Sequence, residues 1–273
     1  MKSRFALVLP LFILSLLLIS PVLAQDAPLT GGASTISYHD ISLTYDSSLL
    51  GAIYPHDEAA FPPDPNNPMP PGSVTPAYTA FSFFIPGSQQ SVDLLSAPAL
   101  VVYTTADIDA LGDQNFSDAL TALKGLNLKG DPKQLAGVNT TGTSSLPYLP
   151  PQDATQVMRF LPKLIKDDTL SGVRYFAYYS QSINLIMEGQ IWYTFQGLSA
   201  DGTRYIAFSY PVTTGQLPVG IPSDFDYSAF SAGYNDYLSA TFRSLNGANA
   251  DNFAPSASAL DALVSSVVIA TAK

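Results

Sequence analysis

The chain has 273 residues, of which 47% are hydrophobic and 12% are charged, and it contains no cysteine. This composition can bury a sizeable core, which disfavours both wholesale disorder and coiled coil. The formal net charge of −10 repels polyphosphate and argues against nucleic-acid binding. Without cysteine, neither disulfides nor thiol chemistry can contribute.

The first 24 residues have the layout of a secretory signal peptide. Lys2 and Arg4 form a positive start, residues 5–19 are almost unbroken apolar sequence, and Ala24 is the predicted last residue before cleavage. An uncleaved membrane anchor is the alternative, because this apolar run nearly reaches the roughly 18 residues that a membrane span needs. No later segment is apolar enough to cross a bilayer. We therefore predict a secreted or extracytoplasmic protein, at the cell surface, without a membrane span after cleavage.

The start of the remaining chain predicts a leader, one strand and a loop. Residues 25–35 are small and polar and indicate a flexible leader, followed by a single domain over residues 36–273. From Ile36 onwards apolar and polar residues alternate, which predicts a half-buried strand, and Asp46 is placed to cap a helix. Residues 55–76 hold eight of the 22 prolines and predict an extended surface loop insertion.

The middle of the chain predicts two more strands and a helix. Residues 78–85 and 99–104 are aromatic or β-branched and are typical of strands. Asp113 can cap a helix that runs to about Leu128. Residues 131–152 are rich in Gly, Thr, Ser and Pro and predict a second loop region.

Four successive strand patterns follow, at residues 154–165, 172–180, 189–198 and 203–212. Their short connections predict antiparallel neighbours, because a parallel pair needs a long crossover. The spacing of apolar residues then changes to the period of a helix. A helix capped by Ser223 or Asp224 is expected to end near residue 247, and a second is expected from Ser256, with a possible strand at residues 267–269.

The predicted fold class is α+β, with one antiparallel sheet of about six to seven strands covered by two to three helices. Three segments carry a resemblance: ISLTYDSSL near the start, IWYTFQGLSADGTRYIAFSY in the meander and LDALVSSVVI at the end. With them the chain resembles exported α+β domains of the PsbP-like kind over residues 36–269. It is also similar to a family of secreted bacterial proteins with the same opening and hairpin. The resemblance transfers no functional residue, and a shared fold does not imply a shared function.

Common catalytic motifs are absent from the sequence. It has no Gly-x-Ser-x-Gly, Ser-x-x-Lys, His-Glu-x-x-His, P-loop or dinucleotide fingerprint. The two histidines, His39 and His56, each precede an aspartate, and imidazole beside carboxylate suits a general base. A secreted hydrolase using His39, His56, Asp57 and Glu58 is therefore the enzyme alternative, although solvent-facing loop histidines explain the pattern more simply.

Residues 107–118 partly follow the spacing of a calcium loop. Acids occupy its positions one, three, seven and twelve and Gly112 occupies position six, but Leu111 stands at position five and the last acid is the short Asp118. Helix capping by Asp113 and solvated turn positions for the other acids are the favoured interpretation. We expect no metal and no other cofactor.

The aromatic strands suggest a binding surface. Arg174, Phe176 and Tyr178 share one face of their strand, and Trp192 and Arg204 are candidates for the same face, while packing in the core is the alternative. An exposed aromatic face with arginines would suit a sugar or a partner protein. The leading hypothesis is thus a secreted, non-enzymatic domain that binds an extracellular protein or carbohydrate. A structural component of the cell envelope is the third possibility.

Overall fold

The computed structural model describes residues 32–64, 66, 73–85, 97–142 and 145–270. The predicted signal peptide and residues 25–31 of the predicted leader lie outside this range. The strands are β1 (Ala33–Tyr38), β2 (Ile41–Asp46), β3 (Ala52–Glu58), β4 (Tyr78–Phe84), β5 (Ala99–Thr104), β6 (Gly137–Val138), β7 (Thr155–Lys166), β8 (Leu170–Ser180), β9 (Ile191–Ser199), β10 (Arg204–Val212) and β11 (Val268–Ile269). The α-helices are α1 (Ser47–Leu50), α2 (Thr105–Leu111), α3 (Gln114–Lys124), α4 (Tyr227–Ala232), α5 (Tyr234–Asn246) and α6 (Ala257–Ser265).

The predicted α+β class with an antiparallel sheet is confirmed, but the described residues form two sheets instead of one. The main sheet has eight strands in the order β3-β4-β5-β10-β9-β8-β7-β6, and every pairing in it is antiparallel. The four strand patterns between residues 154 and 212 became β7 to β10, as expected from their short connections. A separate sheet has the order β1-β2-β11.

The small sheet begins inside the predicted leader. β1 starts at Ala33, and the single strand expected from Ile36 is a hairpin in which Tyr38 pairs with Ile41. The two-residue turn between them places His39 at φ 54°, in the left-handed region. β2 buries Ile41 and Leu43 in the core that the main sheet also lines. The hairpin therefore contributes to this core through its side chains, while its strands pair in a sheet of their own.

The proline-rich loop starts later than the predicted residue 55, because residues 55–58 belong to β3 and pair with β4. Pro55 lies opposite Phe81 of β4. The Phe83 N–H donates to the Pro98 carbonyl and thus points toward β5. Residues two apart in a strand direct their backbone groups to the same neighbouring strand, so those of Phe81 also point toward β5 and away from β3. The position that lacks an N–H in Pro55 therefore faces the free edge of the sheet, where proline is tolerated and discourages pairing with another chain. Residues 65 and 67–72 of the predicted loop lie outside the described range.

Both faces of the main sheet are covered. One face, here the α6 face, carries Phe176, Tyr193 and Phe208 and packs in one core cluster with residues of β2, α5 and α6. The opposite face, here the α3 face, carries Val101 and Tyr205 and packs with buried residues of α3. The largest fully buried side chains are mainly aromatic, and their large buried area helps to form the core without disulfides.

The helices differ from the sequence prediction in three places. Helix α3 is capped by Asp113 as predicted, but it ends at Lys124 rather than at about residue 128, with Gly125 as its C-cap. The predicted helix after residue 223 is two helices, divided at Gly233 and capped by Asp226 instead of Ser223 or Asp224. Helix α2 was not expected. The predicted last helix and its terminal strand are present as α6 and β11.

Candidate functional site at the ends of four strands

A cleft of about 200 Å³ lies where four neighbouring strands of the main sheet begin or end. Because adjacent strands run in opposite directions, the last residues of β3 and β5 lie beside the first residues of β4 and β10. Glu58, Tyr78, Thr104 and Arg204 come to the cleft from these four ends. The β1–β2 turn closes one side with Asp40. The site therefore combines segments far apart in sequence.

The cleft is strongly acidic. Its lining includes the carboxylates of Asp40, Asp57, Glu58 and Asp107 and one guanidinium, that of Arg204. Arg204 Nη2 lies 2.9 Å from Asp40 Oδ2, which neutralises one carboxylate. The remaining three carboxylates are exposed at this opening, and a surface with charges of one sign concentrates cations near it.

Asp57 is the carboxylate held most firmly. It accepts hydrogen bonds from the Thr79 hydroxyl at 2.8 Å and the Tyr38 hydroxyl at 3.2 Å, and its Oδ2 lies 2.7 Å from His39 Nε2. The hydrogen bonds from His39, and then from Thr79, lower the pKa of Asp57 despite some desolvation. Asp57 is thus an anion at neutral pH in a fixed orientation.

His39 reaches Asp57 from a strained backbone position. Its φ of 54° at the turn is one that non-glycine residues seldom adopt. The ring packs against Tyr38 with the centroids 4.1 Å apart, and its Nε2 is engaged by Asp57. The side chain is 55% exposed, so Nδ1 is the ring nitrogen left for solvent or a ligand. These contacts offset the conformational cost of the turn.

A second cavity of about 530 Å³ adjoins the cleft and shares Asp40 and Arg204 with it. It adds the carboxylates of Asp168 and Asp201. Hydrogen bonds from Ser199 and Thr203 lower the pKa of Asp201 to about 2. Together the two cavities are lined by six carboxylates, and Arg204 is the only lysine or arginine that lines either of them. We call this combined region the strand-end site.

The five residues predicted to share a binding face do not come together. Arg204 lines the strand-end site, but Arg174, Phe176 and Tyr178 are buried on the α6 face, with at most 7% exposure. Helix α6 covers that face, so it offers no exposed binding surface. The alternative interpretation, packing in the core, therefore applies to these three residues. Trp192 pairs with Ala177 and therefore lies on the α3 face, where it is half-buried.

The structure places the four residues of the hydrolase alternative in two pairs. His39 and Asp57 form a contact pair, whereas His56 stacks on Tyr54 at 5.4 Å and lies 4.0 Å from the Glu58 carboxylate. Neither imidazole lines the cleft. The Thr79 hydroxyl donates its hydrogen bond to the Asp57 carboxylate and not to an imidazole. The geometry thus provides an oriented imidazole without an activated side-chain nucleophile.

The residues of the calcium-loop alternative are mainly helical. Asp107 and Asp109 lie in α2, and the Asp113 carboxylate accepts the backbone N–H groups of Asn115 and Phe116 as a helix cap. Within the described ranges, no three His, Asp or Glu side chains are grouped so that they could hold a metal ion. No helix in the described part of the chain combines the length and the apolar character that a membrane crossing requires.

Comparison with known proteins adds no assignment to this geometry: no family model matches the chain, and no curated protein matches it. The sequence analysis selected Arg204, Asp57 and Glu58. It missed Asp168, and it considered Asp40 only as the neighbour of His39. Asp40 lies in the turn before β2 and Asp168 in the turn between β7 and β8, so the turns that connect strands were the available signal. Which strand ends meet, however, depends on the order of strands in the sheet.

Proposed function

We propose that the chain is a secreted, non-enzymatic domain that binds a positively charged group of an extracellular partner at the strand-end site. The observation that carries the proposal is the lining of that site, where six carboxylates surround a single guanidinium. The partner group would be an ammonium or a guanidinium, because such groups donate several hydrogen bonds and carry the complementary charge.

The size of the cleft supports a side chain as the bound group. At about 200 Å³ it is smaller than the pockets of roughly 300–1,000 Å³ that enclose drug-sized ligands. The adjoining cavity could take a second basic group of the same partner. The carboxylate of Asp57 is already oriented by three side chains, so little ordering would be needed on binding.

Secretion and a PsbP-like fold stay part of this proposal. The apolar segment at residues 5–19 supports export, and an antiparallel sheet with a last helix leading into a short strand supports the likeness. The likeness assigns no residue to the strand-end site. A proline-rich loop insertion after β3 also stays a proposal, supported by the sequence of residues 59–76.

The test is a calorimetric titration of the purified protein with acetyl-tetralysine amide, with acetyl-tetraglutamate amide as the charge-reversed peptide. The variant combines Glu58→Gln, whose side chain is 55% exposed, with Asp168→Asn, which is exposed in the adjoining cavity. Each charge about 4 Å from an ammonium contributes on the order of 1 kcal/mol in water, or about fivefold. We expect the double variant to bind tetralysine about twentyfold more weakly at low salt.

The matched control combines Asp224→Asn with Asp236→Asn and also removes two charges, because both are exposed acids that line neither cavity. It removes charge without touching the site, so its affinity should equal that of the unmodified protein. Equal weakening by the control and the double variant would show diffuse charge attraction and would refute the proposal. The absence of any saturable binding would also refute it and would favour a structural role in the envelope.

Hydrolysis is a second candidate, favoured by the 2.7 Å contact between His39 and Asp57. In that case the imidazole would act as a general base toward water, oriented by Asp57. The test is hydrolysis of p-nitrophenyl acetate by the purified protein and by the His39→Gln and Asp57→Asn variants. A rate that exceeds buffer and falls at least tenfold in both variants would support the enzyme, and equal rates in all three proteins would exclude this role for the pair.

A further inference from the structure

A polar groove of about 380 Å³ lies between α3 and the loop that precedes β7, residues 145–154. Its lining is rich in amide and phenol groups and contains one carboxylate, that of Asp118, and no lysine or arginine. We infer that this groove binds a neutral oligosaccharide. The inference is independent of the strand-end site, with which the groove shares no residue.

One wall of the groove is a single face of helix α3. Asn115, Asp118, Ala119 and Ala122 line it, and their spacing of three and four residues puts them on the same side of the helix. The two alanines leave space, and the two polar residues stand at the N-terminal half. The Asn115 side chain is exposed, and it forms no hydrogen bond with the part of the chain that the structure describes. Its amide can therefore both donate to and accept from a ligand hydroxyl.

The opposite wall is a loop that is held in place by buried side chains of the sheet. The Leu146 N–H donates to Gln156 Oε1 at 2.9 Å, and the Leu149 N–H donates to Gln196 Oε1 at 2.9 Å. The Tyr175 hydroxyl donates to the Pro147 carbonyl at 2.8 Å. These bonds fix a segment that has no helix or strand of its own. A wall ordered in advance lowers the entropy that a ligand must lose on binding.

Two tyrosines form the aromatic part of the groove. The rings of Tyr148 and Tyr179 have centroids 4.8 Å apart, and both side chains are partly exposed while lining the groove. Burial raises the pKa of Tyr148 to about 12, so its phenol stays neutral in any physiological medium. The Gln156 amide donates to the Tyr179 hydroxyl at 3.0 Å and fixes that ring.

These features select the chemical class of the ligand. Sugar rings present an apolar C–H face that packs on an aromatic ring and a rim of hydroxyls that pair with amides and carboxylates. With no cation in the lining, an anionic ligand would lack a counter-charge, and the single Asp118 is too little to select a polycation. A volume of about 380 Å³ is in the range that encloses a small ligand, and the open groove would admit a longer chain.

The experiment measures binding of cellotetraose and maltotetraose to the purified protein by calorimetry and by amide chemical shifts. The variants are Asn115→Ala, which removes an exposed amide, and Tyr148→Leu, which removes an aromatic ring on which a sugar would pack. Thr121→Ala is the matched control, because Thr121 is exposed on α3 and does not line the groove. We expect at least fivefold weaker binding in both variants and unchanged affinity in the control.

Saturable binding of either tetrasaccharide with this variant pattern supports the inference. Absence of saturable binding of both sugars up to roughly 10 mM overturns it. So does binding that Asn115→Ala and Tyr148→Leu leave unchanged, since the sugar would then occupy another surface. Binding of tetralysine by the same protein samples is recorded in parallel, so that a failure of the groove is distinguished from inactive protein and from failure of the strand-end site.

Discussion

The buried ion pair between Arg174 and Asp261 should hold α6 against the main sheet. Arg174 Nε and Nη2 lie 2.9 and 3.1 Å from the two carboxylate oxygens of Asp261, and the Tyr193 hydroxyl donates to the same carboxylate at 2.9 Å. Arg174 is only 7% exposed. Burial alone would raise the pKa of Asp261, but the contacts with Arg174, Lys163 and Tyr193 outweigh it and lower that pKa.

Asp261→Leu should lower the free energy of unfolding by about 3–5 kcal/mol, because it leaves a buried guanidinium without its counter-charge. Arg174→Met should cost less, since Asp261 keeps Tyr193 and also Lys163, whose Nζ lies 2.8 Å away. The double variant Arg174→Met with Asp261→Leu removes both charges together. It should lose only about 1–3 kcal/mol, mainly because the Tyr193 hydroxyl loses its acceptor.

The assay is urea unfolding followed by the fluorescence of Trp192, the only tryptophan in the chain, together with far-ultraviolet circular dichroism. A loss of about 3–5 kcal/mol corresponds to a fall in Tm of roughly 6–20 °C for a domain of this size. Lys163→Met is the matched control, because the Lys163 side chain is 56% exposed and its ion pair contributes at most about 1 kcal/mol.

Two outcomes would refute this reasoning. If Asp261→Leu lost less than about 1 kcal/mol, the ion pair would not be buried as described. If the double variant lost as much as the two single variants added together, the residues would act independently, whereas contacting charges should show a coupling of about 2 kcal/mol or more.

Three further predictions concern single positions. Tyr103→Phe should be neutral or stabilising by up to about 1 kcal/mol, because the buried Tyr103 hydroxyl has no partner within the described residues. Tyr205→Phe should cost about 1–2 kcal/mol, because the Tyr205 hydroxyl loses its hydrogen bond to Gln196. Equal urea midpoints for the two variants would contradict this prediction. Gly172→Ala should destabilise by about 3 kcal/mol or more, because its Cβ would meet the Gln196 carbonyl oxygen at 2.3 Å, and an unchanged Tm would show that the two strands can separate there. The pKa of Asp57 is lower in the folded protein than its unfolded value of about 3.9, so the ionised group stabilises the fold at pH values above about 3.9. This stability is lost as the pH falls through the folded pKa. Asp57→Asn should therefore flatten the pH dependence of the urea midpoint below about pH 4, and parallel curves for the two proteins would disprove the linkage.

Local patterns predicted most strands and the start of several helices. The alternation between residues 154 and 212 identified β7 to β10, and Asp46, Asp113 and Ser256 act as helix caps, as their positions in the sequence indicated. These features depend on neighbours within a few residues, so they can be recognised from the sequence. The division at Gly233 and helix α2 were missed, although both have local signals: the Thr104 side chain accepts the Asp107 N–H as the cap of α2, and Gly233 ends α4.

The binding face was predicted less well for a physical reason. Alternation shows that Arg174, Phe176 and Tyr178 share one side of a strand, but it does not show what covers that side. Helix α6 covers it, and Asp261 supplies the counter-charge that allows Arg174 to be buried. A buried arginine with a distant partner has the same sequence pattern as an exposed one.

By itself the sequence determined the secondary structure class, the antiparallel meander and the acidic balance of the chain, because these follow from composition and short-range periodicity. Only the tertiary structure decided which strand ends meet. Asp40 and Arg204 are 164 residues apart in the chain and 2.9 Å apart in the site. Strand order and the separate β1-β2-β11 sheet create that contact through burial of apolar faces, a force without direction that the local pattern cannot specify.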